Sequence, residues 1–321
     1  MPQSSGLRTA LADHGQFAED VAYYLSLTPR QLPSRYLYDE LGSALFEAIC
    51  QLPWYHITRL EQELLRLHAN DIFARLPTLS TLVELGSGNG EKLATLMDTR
   101  ARGPIAVHLV DVSSNALTAA VRALNVYKDI SLVAHQATYE AGLAEAAREP
   151  RASGQTLVLF LGSNIGNFDP PGADAFLHGV RAALARGDAL LLGADLVKPE
   201  REQLLAYDDP LGVTAAFNKN LLVRTNRELW ADFDVDGFVH RAVWNGDASR
   251  IEMHLASVRR QDVRVPAARL DITFQPGETI WTESSYKYRP ADVVAMLDRA
   301  GFAALDQWTA DGFAMTLARA R

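Results

Sequence analysis

The sequence predicts an α/β protein built on a parallel sheet covered by helices, and three observations predict it. One is the apolar run Thr81-Leu82-Val83-Glu84-Leu85, followed by glycines at alternate positions, Gly86, Gly88 and Gly90, and then by a helical pattern. A buried parallel strand reads as such a run, and glycines directly after it let backbone approach a ligand. Strand-like and helix-like segments then alternate from about residue 80 to 197, which calls for crossover connections. The third observation is Ala310-Asp311-Gly312 between the strand-like Ala303–Thr309 and Phe313–Ala318, a hairpin signal.

Each element has its own signal. Leu82–Leu85 leads to a helix around Lys92–Thr99, and Ile105–Val110 to a helix near Asn115–Tyr127, with Ser113 or Ser114 able to cap it. Ile130–Ala134 precedes an Ala/Glu-rich helix near Glu140–Arg148. Thr156–Leu161 precedes a helix at Gly172–Arg186, with Pro170-Pro171 ahead of it and Gly187 closing it. Ala189–Leu192 ends the alternation. Lys198-Pro199-Glu200 opens a helical region through Asn226, β-alternation dominates from Phe238 to Tyr288, and Pro290–Ala300 reads as a helix stopped by Gly301.

The run after the glycines ends on Asp111, about 20 residues beyond the loop, the spacing a ribose-binding fold uses to hold two hydroxyls. A dinucleotide fingerprint would be Gly-x-Gly-x-x-Gly. Here the pattern is Gly86-x-Gly88-x-Gly90, with no Walker lysine and hydroxyl after it. A glycine turn also serves plain packing, but Glu84 and Asp111 together favour a nucleoside-containing cofactor. Lys92 opens a helix, where the dipole disfavours a cation. An anionic partner, such as a cofactor carboxylate, would explain it. Lys287-x-Arg289 before Pro290 reads as a solvated or capping pair at a domain junction.

Composition bounds the function. The 321 residues are 48% hydrophobic, enough for one large or two modest domains. A net charge of −8 with interspersed signs argues against nucleic acid and against a polybasic membrane patch. The single Cys50 excludes an intrachain disulfide and fits a reducing compartment. The first 16 residues lack a signal-peptide pattern and no apolar run reaches membrane length. The expectation is a soluble cytoplasmic protein. The histidines show no metal-ligand spacing, so no metal is expected.

Several unusual segments carry a resemblance. They are Arg35-Tyr36-Leu37-Tyr38-Asp39-Glu40-Leu41-Gly42-Ser43-Ala44-Leu45-Phe46, Leu52-Pro53-Trp54-Tyr55-His56-Ile57-Thr58-Arg59 and Leu159-Phe160-Leu161-Gly162-Ser163-Asn164-Ile165-Gly166-Asn167. Ala206-Tyr207-Asp208-Asp209, Gly212-Val213-Thr214-Ala215-Ala216-Phe217-Asn218, Arg250-Ile251-Glu252-Met253 and Trp281-Thr282-Glu283-Ser284-Ser285-Tyr286-Lys287-Tyr288 complete the set. Together with the Glu-x-Gly-x-Gly-x-Gly loop, the chain resembles the histidine Nα-methyltransferases of ergothioneine biosynthesis. The resemblance implies a class I S-adenosylmethionine-dependent methyltransferase core, Rossmann-like, over residues 62–197 and 288–321. It also implies a split α+β substrate-binding domain from residues 1–61 and 198–287.

The activity implied is transfer of three methyl groups from S-adenosylmethionine to the α-amino nitrogen of L-histidine, giving hercynine, by a chain acting as a monomer. By motif, Gly86, Lys92 and Asp111 contact the cofactor. Tyr55, Asn167, Tyr207, Glu283 and Ser285 contact the amino acid, Met253 lines the imidazole pocket, and Tyr38 lies beside the reacting amine. Where the family usually has Gly-Asp-Phe against adenine, this chain has Ala137-Thr138-Tyr139. Thr138 can hydrogen-bond and Tyr139 can stack, but the charged acceptor is absent. His56-Ile57 replaces a common Tyr-Pro, a change in the wall beside Tyr55.

The residue chemistry is compatible. A phenol and an amide oxygen, from Tyr38 and Asn167, can accept from a neutral amine, and Tyr207 can donate to a carboxylate. Glu283 and Ser285 stand two apart in a β-like run, which puts both on one face. Read singly, Asn167 could be a turn residue, Tyr207 a surface aromatic, Met253 core packing, and Glu283 with Ser285 a solvated strand face. The alternatives are Nα-methylation of another aromatic or histidine-derived amino acid, and a binding protein that kept the fold without turnover.

Overall fold

The computed structural model describes residues 4–100, 103–149 and 154–321. The chain divides into two compact units, Tyr55–Pro199 with Ser285–Arg321, and the remainder up to Trp54 with Glu200–Ser284. The first seam lies earlier than residue 61 because the helix Ile57–Arg75 packs on the sheet of the first unit. It buries Ile57, Leu64, Leu65, Ala69 and Ile72. Tyr55 and Ser285 therefore belong to the core unit.

The core sheet has seven strands: β1 (Leu79–Leu85), β2 (Ile105–Asp111), β3 (Ile130–Gln136), β4 (Gln155–Phe160), β5 (Ala189–Asp195), β6 (Phe302–Ala310) and β7 (Phe313–Ala320). Their order is β3-β2-β1-β4-β5-β7-β6. Strands β1 to β5 run parallel, and β7 pairs antiparallel with both β5 and β6. This is the class I methyltransferase sheet, closed by the expected hairpin. Asp311 at φ 36° and Gly312 at φ 91° make its turn, the two positive values a tight right-twisted hairpin requires.

Every residue of β5 is buried, as the continuous apolar run demands of a strand covered on both faces. Ser113 caps the helix Ser114–Leu124 by accepting from the Ala116 amide. Asp169 caps Pro170–Ala183, whose two prolines fill the first positions. That helix stops before Arg186 because Leu184, buried, turns extended and Gly187 adopts φ 97°.

The order of strands reverses between β1 and β4. In such sheets the crevice outside the carboxyl ends at that point is where ligands bind. It places the loop after β1 beside the turn after β4.

The other unit carries a four-stranded sheet in the order Arg30–Gln31, Thr279–Tyr286, Arg250–Ser257, Phe238–Asn245. Thr279–Tyr286 crosses the division after Ser284. A two-stranded ribbon and the helices Ser4–Ser26, Glu40–Cys50, Glu200–Tyr207 and Val213–Leu229 complete the unit's main elements. Phe233, Phe238 and Phe274, all buried, pack their rings together with centroids 5.3 to 6.0 Å apart. Among the described residues no helix is long and apolar enough to cross a membrane.

Candidate active site

The loop after β1 is built from left-handed backbone. Gly86, Gly88 and Gly90 have φ of 78°, 51° and 80°, which L side chains rarely adopt. A Cβ at Gly90 would come within 2.8 Å of Ala120 Cα, whereas one at Gly88 would meet nothing within 4 Å. Gly90 is therefore a packing glycine, and Gly88 leaves its backbone open to a ligand. The loop is anchored by Gly86 and Ser87 amides donating to the Val110 carbonyl and by Asp111. One Asp111 oxygen accepts from Gly88 N at 3.0 Å and the other from Ser113 N at 2.8 Å. Burial pushes its carboxyl up, against the pull of those amides. Each oxygen retains acceptor capacity, so the carboxylate fits a pair of ribose hydroxyls.

Glu84, in β1 two residues before Gly86, is buried, and burial pushes its carboxyl up to about 8, partly offset by Lys92. Its Oε2 has no hydrogen-bond partner among the described residues. A neutral acid with an unmet oxygen beneath the glycine loop suits a polar or cationic ligand group above it.

The turn after β4 faces this loop. Gly162 and Ser163 both adopt positive φ, 75° and 58°, and for a serine this is a strained conformation. It is held by Ser163 Oγ accepting from the Asp195 amide at 2.9 Å. The short helical turn Asn164–Asn167 follows. Gly166 lies so close to the next segment that a Cβ would meet the Tyr286 carbonyl at 2.7 Å. A Cβ at Gly86 would meet Asn164 Nδ2 at 2.9 Å and the Tyr139 ring at 3.3 Å. The structure thus brings Gly86, Asn164 and Tyr139 together, with Asn167, half-buried, at the end of the same turn.

Glu61 was not foreseen in this region. It is fully buried, and its two oxygens accept from Gly162 N at 2.8 and 2.9 Å. The Lys92 ammonium lies 2.5 Å from Glu61 Oε2. The anionic partner that the position of Lys92 demands is therefore supplied by the protein itself. Glu61 occupies the space left by Gly193 in β5, where a Cβ would meet Glu61 Oε1 at 2.1 Å.

Thr138 is exposed and caps the helix Tyr139–Arg148 by accepting from the Ala141 amide. The Tyr139 ring meets Phe160 and Phe176 edge-on, at 5.1 and 6.1 Å. Its face is consequently set by a packed aromatic cluster that reaches to Gly86.

Tyr55 is buried just ahead of Ile57–Arg75, and the neighbouring His56 is exposed. The reading of Lys287 as a solvated residue is corrected. Its side chain is wholly buried, 2.8 Å from Asp195 Oδ2 and 2.8 Å from Ser285 Oγ. A buried carboxylate and a serine hydroxyl replace the water that a junction lysine would have had.

In the other unit, Tyr38 follows the turn Ser34–Leu37. Its ring packs edge-on against Phe46 and Phe217, both at 5.5 Å. The next residue, Asp39, caps Glu40–Cys50 and also accepts from Asn220 and Arg227, so Tyr38 stands on a fixed corner. Tyr207, buried, ends Glu200–Tyr207, and its carbonyl accepts from His240 Nε2 at 2.8 Å. The other nitrogen of His240 faces Asn218 Nδ2 at 2.9 Å, and burial lowers the His240 pKa. Through these two contacts the ring locks the end of that helix.

Met253 is buried between Ile251 and Leu255, and Thr282 donates to its carbonyl at 3.0 Å. Glu283 is half-buried, and its carbonyl accepts from Trp281 Nε1 at 2.9 Å. The two-residue alternation of Thr279–Tyr286 holds through Thr282 and then gives way. Glu283 and Ser284 are both half-buried, and Ser285 and Tyr286 both buried. Alternation alone therefore does not put Glu283 and Ser285 on one face.

Comparison with known proteins accounts for nearly the whole chain. A family model described as "Histidine-specific methyltransferase, SAM-dependent" matches residues 17–321. The chain is 43% identical over 312 residues to the histidine N-alpha-methyltransferase of Mycobacterium tuberculosis (strain CDC 1551 / Oshkosh), covering 96% of each. It is 42% identical over 304 residues to the protein of the same name from Mycolicibacterium smegmatis (strain ATCC 700084 / mc(2)155), covering 93% of each. A third relative, ergothioneine biosynthesis protein 1 of Neurospora crassa, is 29% identical over 286 residues, which cover 88% of this chain and 32% of that one.

Proposed function

The chain belongs to the histidine-specific, S-adenosylmethionine-dependent methyltransferase family, and from that premise we propose that it adds three methyl groups to the α-amino nitrogen of L-histidine. The product is hercynine, an intermediate on the way to ergothioneine. The observation that carries this reading is the match of a histidine-specific family to residues 17–321. The crevice between β1 and β4 supports it with open backbone at Gly88 and an accepting carboxylate at Asp111.

When bound, S-adenosylmethionine supplies an electrophilic methyl carbon on a sulfonium. Asp111 and the glycine loop from Gly86 would hold the ribose end, Thr138 and Tyr139 the adenine end, and Lys92, while paired with Glu61, the methionine end. The protein's task is to hold an unprotonated amine in line with that carbon. Tyr38 and Asn167 accept hydrogen bonds from the amine without requiring it to be charged. Tyr207 and the Asn167 amide donate to the carboxylate, with Tyr55 against the same amino acid. Glu283 and Ser285 serve the two ring nitrogens beside Met253. Direct displacement needs neither a metal nor a covalent enzyme intermediate. We place the enzyme in the cytoplasm as a single chain, where reduced Cys50 is at home.

Incubation of the purified protein with histidine and S-adenosylmethionine should yield a product heavier by three methyl groups. NMR should place all of them on the α-nitrogen. Methylation of a ring nitrogen would refute the assignment of Glu283 and Ser285 to the imidazole.

Specificity should rest on Glu283. A buried imidazole has two nitrogens that lose water, each costing about 1–3 kcal/mol if left unpaired. Glu283→Ala should lower the kcat/KM for histidine by about 10- to 100-fold. Tryptophan should lose less or gain, because its indole no longer faces an unpaired carboxylate. If the ratio of efficiencies for the two amino acids does not move toward tryptophan, Glu283 lies outside the pocket.

A further inference from the structure

The strand Thr279–Tyr286 loses one of its two neighbours just before it reaches Glu283. Arg30–Gln31 pairs with it in parallel, Gln31 opposite Trp281, and the Leu32 amide donates to the Trp281 carbonyl at 2.9 Å. Bonds along one edge of a parallel ladder recur every second residue. The next donor would be Ser34, which already opens the turn Ser34–Leu37. The Glu283 carbonyl thus lies beyond the ladder, and the Trp281 indole meets it, Nε1–H donating at 2.9 Å. In a regular strand the carbonyls lie in the plane of the sheet and the side chains stand out of it, so this bond takes the backbone out of the pleat. The carbonyl belongs to the Glu283–Ser284 peptide, and the alternation of burial fails there, with both residues half-buried. The indole itself is anchored. Arg250 lies over its ring at 4.4 Å, and the His254 ring stacks on it at 5.9 Å. Glu252 ties these two together, accepting from Arg250 Nε at 2.8 Å and facing His254 Nε2 at 3.3 Å. The three alternate along the neighbouring strand and share a face, opposite to that of buried Met253.

We propose that Trp281 is a positioning residue, which by holding the Glu283–Ser284 peptide aims the Glu283 carboxylate at the N–H of the substrate imidazole. The proposal rests on the assignment of Glu283 to the imidazole made above. By the two-residue period Glu283 would share the face of Trp281, away from Met253, which is assigned to the same pocket. The carboxylate reaches a ring beside Met253 only where the backbone is turned, and the held peptide is the turning point. The indole suits this task. Its N–H can only donate, and its ring is already fixed by Arg250 and His254, so it has little freedom left to lose. A carboxylate aimed before the substrate arrives binds more tightly, because the cost of ordering it has been met in folding.

The test uses the full chain with S-adenosylhomocysteine bound and reads histidine affinity by calorimetry. Trp281→Phe removes the N–H and keeps a ring for Arg250 and His254. It should weaken histidine binding by about 3- to 10-fold, the worth of one hydrogen bond. Replacing Trp281 by benzothienylalanine, which exchanges the N–H for sulfur in a ring of the same size, should do the same. That variant decides the matter should Trp281→Phe not fold. Turnover at saturating histidine and S-adenosylmethionine should stay within about 2-fold, since the ring contact is equal in the ground and transition states. In a Glu283→Ala background neither replacement should weaken histidine further. Equal weakening with and without Glu283 would mean that Trp281 merely supports the pocket, and that result overturns the proposal. So does an unchanged affinity in the protein that keeps Glu283, even if the melting temperature falls. Failure of the underlying assignment reads differently: Glu283→Ala alone would then bind histidine as tightly as wild type.

Discussion

Glu61→Ala is expected to destabilise the protein by about 2–4 kcal/mol, somewhat below the ~3–5 kcal/mol of a fully buried broken pair because Lys92 can still reach water. Glu61 is 0% exposed and Lys92 24%. The substitution removes both acceptors of the Gly162 amide, takes the paired carboxylate away from Lys92, and opens a void against Gly193. Chemical denaturation measures the loss. Glu61→Gln, which keeps one acceptor and the volume, should recover part of it. Because Gly162 begins the turn that carries Asn167, catalytic efficiency should fall with stability in the alanine variant. An unchanged denaturation midpoint would mean that Glu61 is replaceable by water and does not hold the turn.

Asp111→Ala should weaken binding of S-adenosylhomocysteine by about 1.5–3 kcal/mol, the range for hydrogen bonds to a charged group. That is about 10- to 150-fold in Kd. Two losses combine: the acceptors offered to the ribose, and the ties to Gly88 N and Ser113 N that shape the loop. Asp111→Asn separates them, since an amide of the same size can keep only one of the two backbone ties. It should bind more tightly than the alanine variant and less tightly than wild type. Calorimetric titration reads all three, and NAD should give no heat in the same cell. A dissociation constant unmoved by Asp111→Ala would take this residue out of the site.

The sheet was legible because its signals are local. A glycine forced to positive φ after an apolar strand, a serine ahead of a helix and an Asp-Gly turn each act within a few residues, and Gly86, Ser113 and Gly312 stand where the sequence places them. Long-range pairings were not legible. Glu61 lies in Ile-Thr-Arg-Leu-Glu-Gln-Glu-Leu-Leu, where acids look like a solvated face. The signal was its position four residues after Ile57 and three before Leu64, on the stripe that is buried. An acid on an apolar stripe asks for a partner, and Gly193 and Lys92 come from distant segments. Lys287 gave a fainter hint, a cation between two tyrosines, and its partner Asp195 lies on another strand. The seam near Tyr55 was misplaced because helix pattern alone does not say which sheet a helix covers.

The position of β7 between β5 and β6 has a consequence for how the chain is made. During synthesis from the amino end, β5 emerges with every residue apolar or destined for burial, and only β4 is present to pair with it. Its other edge stays open while all of the second unit's later segments are translated, since β7 comes from residues 313–320. An open, apolar strand edge is a template for pairing with the wrong chain. The nascent protein thus carries an aggregation hazard in the interval between these two strands, and the hairpin that ends it acts as a late seal on a sheet otherwise complete.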